Sequence, residues 1–588
     1  MARTVLLRFF ALFSAAGLSL AGAWLFLRVT GEGGLNWLDL LRCALVAISS
    51  FWLVWGGVPA VLGVFAPRRK TPPETGALQS RTAILVPVYN EDPLATFSRV
   101  AAMNRSLVRL GVAEHFHFAV LSDTQDLRIA AAEAAEFQRL LAEPQSEGRI
   151  FYRRREVNVG RKAGNIEDFI CRSGGAYEFA LILDADSLME GETIVAMTRR
   201  LEEDPELGLL QTVPTIIHAQ TLFGRSIQFA AAYLSPTFAR GAAVMQGREG
   251  PYWGHNAMVR MRAFAASCGL PELSGKPPFG GHILSHDYVE AALLSRAGWK
   301  VEVDPWLKGS YEEAPDNLIE YAKRDRRWCQ GNLQHGRLLL APGLKAWSRF
   351  TFIQGIMAYL ASPLWLLLLA ASLAGAMLPN LPAITADFST SPIPVWILGV
   401  AVACILVLPK LMILARGAPD GSNRRFGGTL AAFGSVMSEI VLSTILAPTM
   451  LLMQSRSVAQ VLFRIDGGWP ATQRGQTLVP LVDAFRATWW IVVIATLALG
   501  ATLIGAPSAA LWLAPATVPA MAAPILVWAT SRPRRTAGSR LFVTDMEADP
   551  SAVIREQRAI LASWGGVHQP IEGHAAPVLM NSSGHVTA

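Results

Sequence analysis

The stretch "LILDADSLMEG", residues 181–191, is the strongest indication of the fold in the central part of this chain. Aliphatic residues run directly into Asp184 and Asp186, two carboxylates that stand one residue apart. A buried strand that ends in acids is typical of the carboxyl edge of a parallel sheet, where open α/β folds bind their ligands. Paired carboxylates there suit a hard divalent ion, Mg²⁺ or Mn²⁺, and the alternative is an ordinary strand-end turn.

The flanking sequence repeats the pattern of strand and helix. Runs of β-forming residues lie at 82–90, 117–126, 179–186 and 207–214. Because helical stretches such as 129–142 separate them, the sequence predicts an α/β fold, a mostly parallel sheet with helices on both faces. Asp123 ends the second run, so we expect it at the same edge as Asp184 and Asp186.

This α/β region is flanked by membrane-like sequence. The chain is 52% hydrophobic and 16% charged, whereas about a quarter of a soluble chain is charged. We expect two transmembrane helices in 1–70, a cytoplasmic domain in 71–345, transmembrane and interfacial helices in 346–531, and a cytoplasmic, partly disordered tail in 532–588. The net charge of +7 is explained by basic residues beside apolar segments, which mark cytoplasmic loops, and nucleic acid is not expected as a partner.

The number of crossings follows from two basic loops, 416–425 and 532–535. If both are cytoplasmic, one apolar segment between them does not cross. We assign this role to 432–453, which contains Glu439 and Pro448, and expect six crossings.

Three further motifs carry candidate functional residues. In "NVGRKAGNIEDF" (158–169), Lys162 lies in a glycine-bracketed turn and suits phosphate oxygens, although a solvated basic turn is the alternative. In "ILSHDYVEAALLSRAGWKV" (283–301), Asp287 near a helix start is either a general base or a helix cap. In "RDRRWCQGNLQH" (324–335), cations beside an indole suit an anionic leaving group and a sugar face, and a juxtamembrane helix is the alternative.

Together these motifs resemble the family 2 glycosyltransferases, in particular the processive membrane synthases related to cellulose and hyaluronan synthase. The resemblance covers about 250 residues, and the segments "VPVYNED", "LSDTQD", "DADS", "SHD" and "RDRRW" carry it in the family's order. Two positions depart from the family pattern, because Arg324 replaces a glutamine and Ser285-His286 replaces Thr-Glu. Both departures resemble the branch that makes osmoregulated periplasmic glucans.

The resemblance implies a nucleotide-sugar glycosyltransferase domain of the A type, inserted in a helical transmembrane domain at the bacterial inner membrane, with both termini cytoplasmic. It implies that Asp287 is the catalytic base, that Trp328 binds the acceptor, and that Asp184 and Asp186 hold Mg²⁺ or Mn²⁺. The implied donor-binding residues are Asp123, Lys162, Asp184, Arg324 and Arg327. The segment 463–475 resembles a gating loop.

The function implied by the resemblance is an inverting, processive glucosyltransferase that makes a linear β-1,2-glucan from UDP-glucose and exports it. The implied partners are UDP-glucose, the growing glucan, membrane lipid, periplasmic glucan-processing proteins and acyl carrier protein. Two alternatives stay open: a family 2 enzyme that transfers one sugar to a polyprenyl phosphate lipid, and a transporter with a cytoplasmic regulatory domain.

Overall fold

The strand before Asp184 lies at the centre of a mixed sheet in the computed structural model. The structure describes residues 2–30, 34–66, 76–378, 381–385, 394, 396–465, 478–533 and 541–565. The strands are β1 Thr82–Val88, β2 Phe116–Ser122, β3 Ile150–Arg154, β4 Phe179–Ile182, β5 Leu188–Met189, β6 Leu207–Thr212, β7 Thr215–Ile217, β8 Ala257–Arg260, β9 Lys300–Asp304 and β10 Ser310–Glu313.

Helices cover this sheet and continue on both sides of it in sequence. The helices of the amino-terminal and central parts are α1 Ala2–Thr30, α2 Trp37–Phe65, α3 Pro93–Arg109, α4 Leu127–Leu141, α5 Arg161–Ser173, α6 Gly191–Glu203, α7 Leu222–Tyr233, α8 Ser235–Gln246, α9 Met261–Ser267, α10 His286–Arg296 and α11 Leu318–Gln334. The remaining helices are α12 Ala346–Met377, α13 Trp396–Gly417, α14 Thr429–Leu462, α15 Leu481–Gly505, α16 Ala510–Met521, α17 Ala523–Thr530, α18 Asp545–Ala548 and α19 Ala552–Gly565.

The large sheet is mostly parallel, as the sequence predicted. Within the described residues its order is β3-β2-β1-β4-β8-β6-β9, and β8 is antiparallel to both of its neighbours. The other neighbouring pairs are parallel. A small second sheet has the order β5-β10-β7.

Both faces of the large sheet are buried, which explains the unbroken apolar run of β4. Leu181 packs with Ile84 and the α3 side, whereas the next residue, Ile182, packs with Leu85 and the α5 side. Successive strand residues point to opposite faces, so a strand covered on both faces needs apolar residues at every position.

The third predicted strand is shorter than expected. It ends at Ile182 instead of continuing to Asp186. The Ser187 N–H donates to the Asp184 carbonyl at 3.1 Å and closes a turn there. Asp184 and Asp186 therefore lie in the turn beyond the carboxyl end of β4.

Six helices among the described residues are long and apolar enough to cross a membrane: α1, α2, α12, α13, α14 and α15. The segment 432–453, expected not to cross, lies within α14, which is continuous over 34 residues despite Pro448. Glu439 pairs with Lys410 of α13, and this pairing lowers the cost of its charge in an apolar helix. The break occurs instead between α16 and α17, which are bent by 54°.

The α/β domain contacts the second membrane helix through glycine. A Cβ atom on Gly63 of α2 would lie 1.8 Å from the Thr237 carbonyl of α8, and one on Gly241 would lie 1.8 Å from the Pro59 carbonyl. Small residues permit this approach of two helix backbones.

The carboxyl-terminal segment 541–565 is folded and belongs to the region 532–588 that the sequence predicted to be partly disordered. In α19, Val553, Ile554 and Ile560 are buried in the core cluster that contains α3. Glu547 forms an ion pair with Arg225 of α7 at 2.8 Å. Most of the predicted gating-loop segment, from 466 onward, lies outside the described residues.

Candidate functional site

The two carboxylates of the opening motif differ in exposure. Asp186 is buried, whereas the side chain of Asp184 is 38% exposed. The Asp184 N–H donates to Ser187 Oγ at 2.9 Å, which fixes the turn. The Asp184 carboxylate accepts a hydrogen bond from Lys162 Nζ.

Lys162 lies in the first turn of α5 and reaches two partners. Besides Asp184, its Nζ donates to the Gly254 carbonyl at 2.6 Å. The two glycines around it are required by close packing within the turn. Gly160 has φ +69°, and a Cβ on Gly164 would lie 2.2 Å from the Val159 carbonyl.

The loop 252–256 connects this lysine to the predicted base. Gly254 has φ +88°, and a Cβ there would lie 3.4 Å from Asp287 Oδ2. The next residue, His255, lies 3.5 Å from Glu312 through Nε2 and Oε2. The loop therefore separates Asp287 from Lys162 by a single backbone segment.

Asp287 lies in the first turn of α10 and accepts a hydrogen bond from the Tyr288 N–H. Burial raises the pKa of the Asp287 carboxyl, and the adjacent His286 opposes this rise. A partly buried carboxylate with a raised pKa, close to a lysine, is typical of a general base.

Helix α11 holds the segment before Asp287. A Cβ on Gly331 would lie 2.1 Å from Ser285 Oγ. Gln334 Oε1 accepts from the Leu284 N–H at 3.0 Å, and His335 Nε2 donates to the Ser285 carbonyl at 2.9 Å. Gly331, Gln334 and His335 of the "RDRRWCQGNLQH" motif thus have a structural role that a juxtamembrane helix alone did not explain.

Arg324, Arg327 and Trp328 share the exposed side of α11. Trp328 is 43% exposed, and the Arg324 guanidinium carbon lies 4.6 Å from its ring centroid. Arg327 is partly exposed. Asp325 of the same helix accepts from Gln454 of α14 at 3.0 Å, so α11 is anchored to a membrane helix.

Asp123 follows β2 and is paired with an arginine that the sequence reasoning missed. Arg155 donates to both Asp123 oxygens, at 2.7 Å through Nε and 2.9 Å through Nη2. Arg155 Nη2 also donates to the Arg161 carbonyl at 3.1 Å. The "RRR" run at 153–155, directly before the glycine turn, was the available signal.

Acidic groups collect around the opening motif. Burial and the charges of Asp186 and Asp184 raise the pKa of the Glu312 carboxyl, while His255 and Arg324 act against the rise. Such a set of oxygen ligands fits a hard divalent cation. Among the described residues, no group of three or more His, Cys, Asp or Glu side chains is arranged to hold a metal ion by itself.

The structure brings Asp123, Lys162, Asp184 and Asp287 together around loop 252–256. Asp123 connects through Arg155 to the turn of Lys162, and Lys162 connects to Asp184 and, through Gly254, to Asp287. Arg324 lies close to Glu312, and Trp328 lies next to Arg324. His255 and Glu312 were missed by the sequence reasoning.

A mostly parallel sheet with acids at its carboxyl edge is the fold of a nucleotide-sugar glycosyltransferase of the A type. Two family models agree, because residues 83–267 match glycosyl transferase family 2 and residues 179–414 match glycosyl transferase family group 2.

Whole-chain relatives narrow this class. The chain is 52% identical to glucans biosynthesis glucosyltransferase H of Cereibacter sphaeroides over 94% of both chains. It is 39% identical to the protein of that name from Rhodopseudomonas palustris, over 93% of this chain and 78% of the relative. The chain belongs to the glucans biosynthesis glucosyltransferase H family.

Among solved structures it is similar, with a TM-score of 0.42 and 15% identity, to a Pyrobaculum calidifontis mannosyltransferase in complex with GDP-mannose and Mn²⁺, over 73% of this chain and 100% of that one.

Proposed function

We propose that this protein is an inverting, processive glucosyltransferase that builds a linear β-1,2-glucan from UDP-glucose and exports it as the backbone of osmoregulated periplasmic glucans. The observation that carries the proposal is the position of Lys162, which contacts both Asp184 and the Gly254 carbonyl, with Asp287 next to Gly254. This arrangement brings a cation suited to phosphate, an acidic edge and a partly buried carboxylate close together.

The donor is held by charges of both signs. Asp123 binds the uracil or ribose of the nucleotide, and Lys162, Arg324 and Arg327 neutralise the diphosphate leaving group. Asp184 and Asp186 would hold Mg²⁺ or Mn²⁺ together with phosphate oxygens. The ion, when bound, supplies electrostatic stabilisation of the departing diphosphate.

Asp287 performs the proton transfer. Its carboxylate takes the proton of an acceptor hydroxyl, and the hydroxyl oxygen attacks the anomeric carbon from the face opposite the leaving group. The carbon–oxygen bond to the diphosphate breaks in the same displacement, so an α-linked donor gives a β-linked product. Trp328, with its exposed ring, presents an apolar face to the acceptor sugar.

The membrane helices determine on which side of the membrane the donor binds and to which side the product is exported. The α/β domain, within 71–345, and both termini lie in the cytoplasm at the inner membrane, where UDP-glucose is available. The contact of α11 with α14 through Asp325 and Gln454 supports delivery of the product from Trp328 to the membrane helices. Periplasmic glucan-processing proteins and acyl carrier protein are the partners that this role implies.

Radiolabelled UDP-glucose supplied to membranes tests the proposal. We expect a linear β-glucan from the wild type and none from Asp287→Asn, which keeps the shape of the side chain and removes the base. The matched control is Asp168→Asn, which removes a carboxylate paired with Arg153 and Arg172 and keeps synthesis.

Three outcomes would contradict the proposal. Equal product from the wild type and Asp287→Asn would remove Asp287 from the mechanism. A single glucose on a lipid would identify a polyprenyl phosphate transferase. Neither transfer nor hydrolysis of a UDP-sugar by the purified protein would favour a transporter.

A further inference from the structure

Two ionisable side chains stand beside the proposed base on α10. His286 immediately precedes Asp287, and Glu290 follows one helical turn after His286 on the same face. His286 Nδ1 lies 3.1 Å from Glu290 Oε2, and the two side chains are only 11% and 5% exposed. They form a buried charged pair next to the cleft.

The fold alone does not require this pair. Taking two charged groups out of water is costly, and apolar side chains of similar volume serve a core at least as well. The neighbouring hydroxyl of Tyr252 is fully buried and has no hydrogen-bond partner among the described residues. The desolvation cost of burying His286, Glu290 and the Tyr252 hydroxyl next to Asp287 indicates that this polar cluster has an electrostatic function.

The charges that face Asp287 can be named from every side. His286 and Glu290 lie on its own helix, and Lys162 comes from α5. Loop 252–256 contributes the backbone of Gly254 and the Tyr252 hydroxyl, and its ionisable residue His255 lies 3.5 Å from Glu312. Since His286 is sequence-adjacent to Asp287 and Glu290 lies a turn away, the histidine charge acts on the base more strongly than the glutamate charge does.

The charge of His286 depends in turn on Glu290. Burial works against protonation of the imidazole, but the carboxylates of Glu290 and Asp287 together outweigh burial, and the pKa of His286 is raised. Glu290 is the larger of the two contributions, so it is the main partner that keeps His286 charged.

We propose that His286 and Glu290 are positioning residues for the base: as a buried charged pair they keep the Asp287 carboxylate ionised within the closed cleft. This proposal rests on the proposed function, in which Asp287 accepts the proton of the acceptor hydroxyl. Neither residue needs to touch the substrate.

The test is the pH dependence of kcat for glucan synthesis. Below the pKa of Asp287 the base is protonated and inactive, so kcat falls on acidification. His286→Gln leaves Glu290 as an unpaired negative charge near the base, which raises the Asp287 pKa. The acid limb of the profile, which is the range of pH over which kcat falls on acidification, therefore moves to higher pH by about one unit. Activity lost at low pH returns as the pH rises.

The double variant separates charge from packing. Replacing Glu290 in the His286→Gln background removes the negative charge that raises the Asp287 pKa. The acid limb of His286→Gln/Glu290→Gln therefore lies at lower pH than that of His286→Gln. A second substitution that partly rescues the first is not expected from a packing role. A double variant whose limb equals or exceeds that of His286→Gln would overturn the proposal.

A conservative variant and a control complete the design. His286→Lys keeps the cation, and its acid limb stays near that of the wild type. If it behaves like His286→Gln, the charge has no role and the proposal is wrong. His117→Gln removes an imidazole bonded to Tyr177 near the amino-terminal end of β2 and leaves the profile unchanged. Thermal unfolding in detergent establishes that each variant is folded.

The failure of this proposal is distinct from that of the proposed function. If the wild type is active and Asp287→Asn is not, the base assignment holds. An unshifted acid limb in His286→Gln then rejects only the role of the pair. Activity in Asp287→Asn rejects both.

Discussion

At the residue scale, Arg155 determines how Asp123 is presented. Both Asp123 oxygens accept from one guanidinium, and the same arginine donates to the carbonyls of Val159 and Arg161. A planar guanidinium suits this bidentate arrangement, whereas a lysine ammonium is a point charge. Arg155 thus connects Asp123, the acid proposed to bind the nucleotide, to the turn that carries Lys162.

We expect Arg155→Lys to weaken donor binding with little change in kcat. Loss of the bidentate contact releases Asp123 and the turn together, which costs about 1.4 kcal/mol or a roughly tenfold rise in KM for UDP-glucose. Steady-state kinetics over a range of UDP-glucose concentrations measure the split. Arg153→Lys is the matched control, because Arg153 pairs with Asp168 outside the site. A fall in kcat at unchanged KM would contradict this account.

The sequence predicted site residues where a local pattern positions them. Asp184 and Lys162 each lie within two residues of a strand end or a helix start, so the pattern that predicts the element also predicts the residue. The contacts of Arg155 with Asp123 and of His255 with Glu312 join residues on different elements. Such pairs depend on how the elements pack, which one sequence does not specify.

At the scale of the element, α11 works as a clamp on the segment that leads into α10. Gly331 gives Ser285 room, and Gln334 and His335 bind the backbone of that segment. Burial lowers the pKa of His335 to about 4, so it is a neutral donor at neutral pH. The clamp fixes the start of α10 and therefore the position of Asp287.

Gly331→Ala tests the clamp. Its Cβ would overlap Ser285 Oγ, so the two elements must separate, and overpacking of this kind costs roughly 1–3 kcal/mol. We expect a lower unfolding temperature in detergent and a lower kcat. Gly336→Ala is the control, since the nearest atom to its Cβ lies 4.0 Å away. Wild-type kinetics in Gly331→Ala would show that α11 does not position the base.

The sequence predicted the fully buried strands of the large sheet but not its partly exposed ones. Strands β1, β2, β4 and β6 are buried runs of apolar residues and were found from the pattern. Strands β3 and β9, "IFYRR" and "KVEVD", carry charges and half-buried positions that hide the pattern. Their place in the sheet comes from pairing with neighbours.

At the scale of the whole molecule, the contact between α2 and α8 joins the α/β domain to the membrane helices. Gly63 and Gly241 let the two backbones touch, and no larger residue fits between them. The sequence predicted both regions but not this contact, because neither glycine lies in a recognisable motif.

Gly63→Ala should therefore disturb the attachment of the domain. The added methyl group would lie 1.8 Å from the Thr237 carbonyl, and a backbone atom cannot move aside as a side chain can. We expect a lower unfolding temperature and reduced glucan synthesis in membranes. Gly56→Ala, on the same helix, meets nothing within 4 Å and should behave as the wild type. Equal behaviour of the two variants would argue against a tight contact.

The position of α19 has a consequence for biosynthesis. It covers α3, and Gln557 donates to Ser98 at 3.1 Å across 459 residues of chain. A ribosome adds 5–20 residues per second, so α19 is synthesised roughly 20 seconds or more after α3. During that time the surface of α3 that α19 buries is exposed. Every hydrophobic helix between them must leave the ribosome first. The nascent α/β domain therefore needs protection, by a chaperone or by the insertion machinery, until translation has almost ended.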